Sequence, residues 1–369
     1  MTAQRHAPKV ALCLPGGGMT GAMYQIGALA ALEDGLSSVD GGIDGQGFSL
    51  YVGQSTGAAV AAALAGGSPV ARLYRALLDP VDNFFPIEQS HVFRIDFDEW
   101  HRTLATSWVA LRSLVKLGRQ RNEPSQPTPA HLLLWEQIDR LSDALPAGLF
   151  CLDRYERFLS EFFLRRGIPN SFRAMPRALR IATHDVDSGD RAMFGGAGLD
   201  EPPVSLACAA SLAMPPFFSP VRIGARHYVE GGLGCVAHLD VAEEAGVALA
   251  IVINPLVPIA TTQGAVPTGH GAKASVRDKG MLWMFNQSMR ISAHARLHQE
   301  VALMRARFGM SVLVVEPEPT DTTLFLHNPA NLAARRTILE AAYRTTRERM
   351  ATWVARNDGV AARMGWSAT

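Results

Sequence analysis

The sequence predicts an α/β protein with a parallel sheet, because an apolar segment is followed twice by a glycine-rich turn and a helix. Lys9–Leu14 is the first apolar segment, and three glycines separate it from Met19–Glu33, which has apolar residues at near-helical spacing. Phe48–Val52 is the second, and the pentapeptide GQSTG (residues 53–57) leads from it into an alanine-rich helix. Strands that alternate with helices are typical of parallel sheets.

The same pattern resumes after an interruption in the middle of the chain. Residues 80–148 lose the periodicity and include the proline-rich segment 122–129, so we expect them to form an inserted cap. Strands and helices then alternate from Leu179 to Asn254, and a long helix, a strand at Ser311–Val315 and an arginine-rich helix follow. We therefore expect one α/β domain over residues 9–258 and a helical C-terminal extension over residues 259–369 that packs on it.

Composition excludes several classes of protein. Lysine and arginine total 35 against 34 aspartates and glutamates, and 48% of residues are hydrophobic. This balance argues against a disordered chain and against a nucleic-acid-binding protein. Residues 1–8 do not resemble a signal peptide, and the longest apolar run is interrupted by polar residues and glycines, so the sequence predicts a cytoplasmic protein.

The GQSTG pentapeptide predicts a nucleophilic serine. It fits G-x-S-x-G between a strand and a helix, the context in which a serine occupies a sharp turn with its hydroxyl exposed. Gly53 and Gly57 suit such a nucleophile elbow, since a Cβ at either position would clash in so tight a turn. Ser55 is therefore the candidate nucleophile.

The glycine-rich segment GGGMTG (residues 16–21) has two interpretations. Read as G-x-G-x-x-G, it is a dinucleotide-binding fingerprint with pyrophosphate at the helix N-terminus. Read as a run of exposed backbone amides, it is an oxyanion hole for an attacked carbonyl group. The first interpretation expects an acidic residue at the end of the next strand, where this chain has Gly53 and Ser55 instead, so the second is favoured.

A serine nucleophile requires a base, and the sequence offers two kinds. Four histidines lie downstream, as a triad would require, but none follows a convincing strand: His270, His294, His298 and His327. The spacing of His294 and His298 suggests an ordinary helical face, or a weak metal pair without a third ligand nearby. Glu230 ends a short apolar strand and precedes two glycines, which makes it the better candidate, although a glutamate at a strand end is usually solvated.

Together these segments resemble the patatin-like phospholipase family, also called the PNPLA domain, over roughly Lys9–Pro258. The order of the blocks carries the resemblance: glycine loop, nucleophile elbow, then a carboxylate followed by Gly-Gly. AASLAMPPFFSPVRIGARHYVEGG (residues 209–232) is similar to the third block, and IATHDVDSGDRAMF (residues 181–194) to the strand and turn before it.

The resemblance implies a three-layer α/β/α sandwich and a serine–carboxylate dyad that needs no histidine, metal or cofactor. Ser55 would be the nucleophile, and Glu230 would stand where the family has aspartate. The oxyanion hole would be formed by Gly16, Gly17, Gly18 and Met19. In such a dyad the carboxylate orients the serine hydroxyl and accepts its proton, and the oxyanion loop supplies much of the transition-state stabilisation.

Two positions depart from the family pattern. Thr20 stands where the glycine loop often has arginine, which removes a charge and leaves the backbone donors. Glu230 in place of aspartate is the larger change, because the additional methylene displaces the carboxylate by about 1.5 Å, one carbon–carbon bond, and a misplacement near 1 Å costs on the order of 100-fold in rate. Either the strand end shifts, or the protein is slow or inactive, or another carboxylate acts. The other candidates are Asp185, Asp187 and Asp240.

The sequence thus predicts a serine lipid acyl hydrolase that forms an acyl-Ser55 intermediate. The alternatives are a transacylase with the same residues and a catalytically impaired lipid-binding or scaffold protein.

Apolar and basic residues alternate at helical spacing between Trp100 and Arg121. This pattern predicts either a helix packed on the domain or a basic amphipathic helix that lies on a lipid surface. A second apolar cluster consists of Met281, Trp283, Met284 and Phe285.

Overall fold

The computed structural model describes residues 9–38, 47–79, 81–95, 100–101, 103, 139, 145–261, 265–268, 271–328, 330–356 and 366–368. Most of the expected cap at residues 80–148 lies outside these residues, as do nearly all of the basic stripe at 100–121 and His270. The expectations for these segments stay predictions.

The described strands are β1 Val10–Leu14, β2 Leu36–Ser38, β3 Leu50–Gly53, β4 Arg94–Ile95, β5 Phe150–Cys151, β6 Ala178–Asp185, β7 Arg191–Phe194, β8 Val221–Ile223, β9 Arg226–Glu230, β10 Leu249–Ile253, β11 Val266–Thr268, β12 Gly271–Lys273, β13 Ser311–Val315 and β14 Trp366–Ala368. The described α-helices are α1 Gly18–Gly35, α2 Thr56–Ala65, α3 Val70–Leu78, α4 Gln89–Val92, α5 Asp153–Arg166, α6 Val204–Leu212, α7 Leu239–Glu244, α8 Met281–Phe308, α9 Thr323–Leu326 and α10 Arg335–Arg356. None of the described helices combines the length and the hydropathy that crossing a membrane requires.

Within the described residues, eight strands form one mixed sheet with the order β13-β10-β1-β3-β6-β9-β8, and β7 also pairs with β6. The strands β13, β10, β1, β3 and β6 are parallel neighbours. The strands β7, β8 and β9 pair antiparallel. The parallel part of the sheet confirms the predicted α/β class.

Helices cover both faces of this sheet, as side-chain alternation along β1 illustrates. Leu12 and Leu14 point into one buried cluster, which also contains side chains of α1, α2, α3, α5, α6 and α10. Ala11 and Cys13 point into a second cluster on the opposite face, which α7 and α8 complete. Successive strand residues face opposite sides of a sheet, so two separate clusters require three layers. The three-layer α/β/α architecture is therefore confirmed.

The C-terminal segment contributes to both faces and to the sheet itself. The strand β13 pairs with β10 and forms one end of the sheet order, and α8 fills the second cluster through Leu297 and Val301. The helix α10 packs against α1 on the other face, where the hydroxyl of Tyr343 donates a hydrogen bond to Asp34 at 2.8 Å. The division into a domain at residues 9–258 and an extension at residues 259–369 stays a prediction.

Strand β6 is the element on which the two halves of the candidate site meet. It pairs with β3 over residues 178–181, with β9 over residues 183–185 and with β7 over residues 181–184. A strand has only two hydrogen-bonding edges, and β7 overlaps both of the other partners. The strands β3 and β9 therefore lie end to end along the same edge of β6.

This arrangement brings the carboxyl ends of β3 and β9 together. Gly53, the last residue of β3, is opposite Ile181, and Glu230, the last residue of β9, is opposite Thr183. Only Ala182 separates these two positions. The elbow that follows β3 and the carboxylate that ends β9 are thus neighbours although 175 positions separate Ser55 and Glu230 in the sequence.

Candidate active site

Ser55 lies on a strained turn between β3 and α2. Its backbone has φ 52° and ψ −131°, a conformation that residues other than glycine rarely adopt. The glycines on either side are required by close packing: a Cβ at Gly57 would lie 2.2 Å from the carbonyl oxygen of Leu14, and one at Gly53 would lie 2.6 Å from Cα of Ala58. Without a Cβ, both glycines leave space for the sharp turn at Ser55.

Ser211, in the small-residue helix α6, connects the elbow to β6 through two hydrogen bonds. The backbone amide of Ser55 donates a hydrogen bond to its hydroxyl oxygen at 2.8 Å, and that hydroxyl donates to the carbonyl oxygen of Ala182 at 2.6 Å. Ala182 of β6 lies between the residues that pair with β3 and those that pair with β9. The Ser211 hydroxyl supplies the hydrogen bond to Ala182 that a strand partner would otherwise make. Sequence reasoning did not single out Ser211, because its role depends on three segments that are distant in the chain.

Glu230 is a buried carboxylate beside this serine. Its residue is 2% exposed, and burial raises the pKa of its side chain from 4.5 to about 8. Hydrogen bonds from the Ser55 hydroxyl and from the backbone of Gly232 lower the pKa, but by less than burial raises it. The expectation that a glutamate at a strand end is solvated is therefore wrong for this residue, because β9 ends inside the protein.

The glycine loop before α1 lies against both groups. A Cβ at Gly16 would be 2.6 Å from Cβ of Ser55, 3.1 Å from its Oγ, and 3.6 Å from Oε1 of Glu230. The hydroxyl of Thr56 donates to the carbonyl oxygen of Gly18 at 2.9 Å, which ties the loop to the elbow. The structure thus brings Gly16–Gly18, Ser55 and Glu230 together.

The start of α1 gives this loop its electrostatic character. The helix begins at Gly18, and the first amides of any helix lack an intrahelical acceptor and carry a partial positive charge. Gly17 and Gly18 have φ values of 154° and 69°, which side chains with a Cβ rarely permit. Thr20 is fully buried with its hydroxyl directed at the carbonyl oxygen of Gly17, so the chain has no space for a long charged side chain there.

A buried hydrogen-bond chain, which the sequence did not suggest, supports the residue before the nucleophile. Arg191, which is ion-paired with Asp240, lies 3.4 Å from Nδ1 of His238, and Nε2 of His238 lies 2.9 Å from Oε1 of Gln54. Arginine can only donate, so Nδ1 accepts and Nε2 donates to Gln54. Burial lowers the pKa of His238 to about 3, which keeps this ring neutral. A buried polar chain of this kind fixes the amide of Gln54.

The other candidate carboxylates have partners elsewhere. Asp185 is paired with Arg226, Asp187 contacts His227, and Asp240 is paired with Arg191. Burial acts to raise the pKa of Asp240, but Arg191 holds it below the usual range, and Arg226 likewise holds the pKa of Asp185 below its usual range against burial. These pairs leave Glu230 as the carboxylate that adjoins Ser55 among the candidates.

The downstream histidines also lie apart from the serine. Among the described residues, no hydrogen bond joins a histidine to the Ser55 hydroxyl; His327 is half-buried, and its Nε2 has no partner there. His294 and His298 lie on α8, where Glu316 approaches both rings. The expectation that this pair has no third potential ligand nearby is therefore wrong, because the chain segment after β13 supplies it.

An apolar cavity opens beside the elbow and the glycine loop. Thr56 and Met19, which adjoin Ser55 and Gly18 in the chain, contribute to its wall, and α1, α2, α3 and α5 contribute most of the remainder. Its apolar lining includes Met23, Val60, Leu77, Phe85 and Phe162. A cavity of this composition accommodates a hydrocarbon chain and offers little to a polar ligand.

The fold and the site define an α/β protein that presents a serine on a strained strand-to-helix turn beside a buried carboxylate. The chain belongs to the patatin-like phospholipase family, whose model matches residues 12–238. The comparison with curated proteins found no match.

Three solved structures with remote similarity complete the comparison. VipD from Legionella pneumophila has 13% sequence identity and a TM-score of 0.37, with 93% of this chain and 66% of that chain covered. ExoU from Pseudomonas aeruginosa, in complex with SpcU, has 15% identity and a TM-score of 0.33, with coverage of 97% and 60%. Human GIVD cytosolic phospholipase A2 in complex with methyl gamma-linolenyl fluorophosphonate has 11% identity and a TM-score of 0.31, with coverage of 95% and 59%. The chain therefore spans less than two thirds of each of these proteins.

Proposed function

We propose that the protein is a serine lipid acyl hydrolase that cleaves fatty-acyl esters through an acyl-Ser55 intermediate. The observation that supports this most directly is the buried carboxylate of Glu230 beside a serine on a strained elbow. Membership of the patatin-like phospholipase family supports the same chemistry.

The reaction would proceed in two steps. Ionised Glu230 accepts the proton of the Ser55 hydroxyl while Oγ attacks the ester carbonyl, and the amides of the Gly16–Met19 loop stabilise the oxyanion. The tetrahedral intermediate collapses, the alcohol leaves with the proton from Glu230, and the acyl group stays on Oγ. Water then attacks the acyl-enzyme while Glu230 takes its proton, and Glu230 returns that proton to Oγ of Ser55 as the fatty acid departs.

The acyl chain would occupy the apolar cavity beside the elbow. Its wall begins at Thr56 and Met19, so an ester carbonyl at Ser55 would direct its hydrocarbon chain along α1 and α2, which supply most of the wall. Burial of each methylene there stabilises the complex by about 0.8 kcal/mol. Long-chain esters should accordingly be better substrates than short-chain esters of the same alcohol.

An alkyl fluorophosphonate probe tests the proposed nucleophile. We expect the probe to label the wild-type chain at Ser55 and to inactivate its esterase activity, because the phosphonyl group is attacked by the same oxygen. Ser55→Ala should abolish both labelling and hydrolysis, whereas Ser188→Ala, in an exposed turn, should change neither. Hydrolysis by Ser55→Ala at the wild-type rate would exclude the mechanism.

A second candidate function is a catalytically impaired lipid-binding protein. The observation that favours it is Glu230 itself, whose pKa of about 8 leaves only about a tenth of the carboxylates ionised at neutral pH. The same probe distinguishes the two: fatty-acid binding without labelling of Ser55 at any pH would favour the impaired protein. A transacylase would label like a hydrolase but would transfer its acyl group to an added alcohol in preference to water.

Membrane binding is a further part of the proposal, and the N-terminus of α8 supports it. Met281, Leu282 and Met284 are exposed there, at 82%, 54% and 41%, and they follow a turn that carries Arg277, Asp278 and the half-buried Lys279. Of the cluster expected from the sequence, Trp283 and Phe285 are half-buried instead, and Phe285 packs on Phe217. Exposed apolar side chains beside cationic ones are typical of segments that insert at a lipid surface.

We expect the double variant Met281→Ser, Met284→Ser to reduce sedimentation with anionic liposomes several-fold, because two exposed thioether chains no longer enter the bilayer interface. The control is Phe308→Ser at the opposite end of α8, which is also exposed and should leave sedimentation unchanged. Equal sedimentation of the double variant and the wild type would remove this segment from the membrane proposal. The cytoplasmic location stays a prediction from the sequence.

A further inference from the structure

Three side chains with metal-binding groups converge at the carboxyl end of β13. His294 and His298 are one turn apart on α8, and Glu316 directly follows the strand. The two Nε2 atoms are 3.1 Å apart, and Oε1 of Glu316 is 3.1 Å from Nε2 of His298 and 3.6 Å from Nε2 of His294. The two rings are tilted by 59° to each other, and their centroids are 4.4 Å apart.

These separations are close to the edges of a zinc coordination tetrahedron, with two of the three about 0.2 Å shorter. Bonds of about 2.0 to 2.2 Å from zinc to nitrogen and oxygen place neighbouring ligand atoms roughly 3.3 to 3.6 Å apart. A zinc ion can therefore lie about 2 Å from all three ligand atoms. Two imidazoles and one carboxylate are also a ligand set that zinc adopts in proteins.

A single hydrogen bond uses only one of the two close contacts of His298 Nε2. The Nε2 of an imidazole has a single in-plane position, which holds either a proton or a lone pair. A proton on Nε2 of His298 can be directed at His294 or at Glu316, but both lie at the same distance from it. One cation among the three groups uses every lone pair at once.

The carboxylate is held in place by a neighbour that is not a ligand. Nδ2 of Asn254, a fully buried residue after β10, donates to Oε2 of Glu316 at 3.1 Å, which leaves Oε1 directed at the histidines. Oδ1 of Asn254 in turn accepts from the amide of Leu256 at 3.0 Å. Fixing a ligand through its second oxygen is how proteins orient carboxylates around metals.

We propose that His294, His298 and Glu316 bind one zinc ion, with water at the fourth position. The side chains are 30%, 47% and 18% exposed, so the ion is reached from solvent without a conformational change. Bound zinc connects α8 to the end of β13 and stabilises the folded chain, since the ligands do not converge in the unfolded state.

The proposed site is separate from the Ser55 chemistry. The strands β13, β10, β1 and β3 are successive parallel neighbours, so Glu316 and Ser55 lie at the same edge of the sheet, three strand spacings apart. At about 4.8 Å per spacing this is roughly 14 Å, too far for the ion to contact an ester at Ser55. The zinc proposal therefore does not depend on the proposed hydrolase function.

The test uses the full chain without a polyhistidine tag, cleared of metal with a chelator. Calorimetric titration with zinc chloride should show one ion per chain, and zinc should raise the thermal unfolding midpoint. Cobalt(II) should give the visible absorption of a four-coordinate ion. We expect His298→Ala and Glu316→Gln each to weaken zinc binding at least about 100-fold and to abolish the cobalt spectrum, since the loss of a residue that only orients a ligand already costs 10 to 100-fold.

Two control variants make the result specific. His227→Ala removes another exposed histidine beside a carboxylate, Asp187, and should bind zinc like the wild type. Ser55→Ala should also bind zinc normally, so failure of the hydrolase proposal and failure of this one are distinguishable. No saturable zinc binding by the wild type, or equal affinity in His298→Ala, would overturn the proposal. Glu316→Gln preserves side-chain shape and provides the answer if truncation of a histidine impairs folding.

Discussion

Glu230→Gln is expected to lower kcat/KM for a long-chain ester by about 1000-fold, within the range of 100 to 10,000-fold that general-base catalysis contributes. The amide occupies the same space but cannot accept the proton of the Ser55 hydroxyl. The pH profile should change as well. The pKa of Glu230 is raised to about 8, so wild-type kcat/KM should rise with pH through about 8 and then level off.

The raised pKa bears on how a carboxylate can activate an alcohol. A base is most effective when its pKa lies near the working pH, so a Glu230 carboxylate with a pKa of about 8 is a stronger base than one at 4.5. Burial therefore has two effects: it lowers the fraction of Glu230 that is ionised at neutral pH, and it makes each ionised carboxylate a stronger base. We infer that alkaline pH gives the highest rate.

Glu230→Asp is the matched comparison for the glutamine variant. It keeps the charge but withdraws the carboxylate by about 1.5 Å, and we expect a loss on the order of 100-fold. Initial rates across pH, measured for all three proteins, separate the loss of the base from its displacement. Glu230→Gln with wild-type kcat/KM, or a wild-type profile that is flat through pH 8, would exclude Glu230 as the base. A gain in Glu230→Asp would mean that the native site is compromised.

The fold was largely predictable because its signals are local. Apolar segments followed by glycine turns and helices gave the first two parallel strands, and the glycines around Ser55 gave the elbow. The junction on β6 was not predictable, because the sequences of β3 and β9 do not show that the two strands lie end to end along one edge of β6. The burial of Glu230 follows from that junction and could not be read from its own neighbourhood.

Residues that act through distant contacts were the ones that sequence reasoning missed. Ser211 looks like one more small residue of α6 until the gap at Ala182 is seen. Arg191, at the start of β7, and His238, directly before α7, support Gln54, and no spacing rule relates the three positions. Glu316 has the same character, since only the pairing of β13 with β10 brings it to α8. In each case the partner is set by the sheet topology, which a single sequence does not specify.

Glu230→Gln is also expected to raise the free energy of unfolding relative to the wild type, and to do so far more at alkaline than at acidic pH. Below pH 4.5 the glutamate holds its proton in both states. Between 4.5 and about 8 only the folded state keeps the proton, so wild-type stability falls by about 1.4 kcal/mol per pH unit as the pH rises. Above about 8 the decrease ends, after a loss on the order of 5 kcal/mol.

Glutamine has no proton to lose, so the variant lacks this decrease, while every other titrating group contributes equally to both proteins. His238, for example, opposes the trend: its pKa is depressed to about 3, so its stabilising contribution is present above 6.5 and is lost as the pH falls. Urea unfolding of both proteins at about pH 5 and about pH 8.5 isolates the Glu230 contribution as the change in their difference. If that difference is the same at both pH values, Glu230 titrates normally in the folded protein, and its role as a base with a raised pKa must be abandoned.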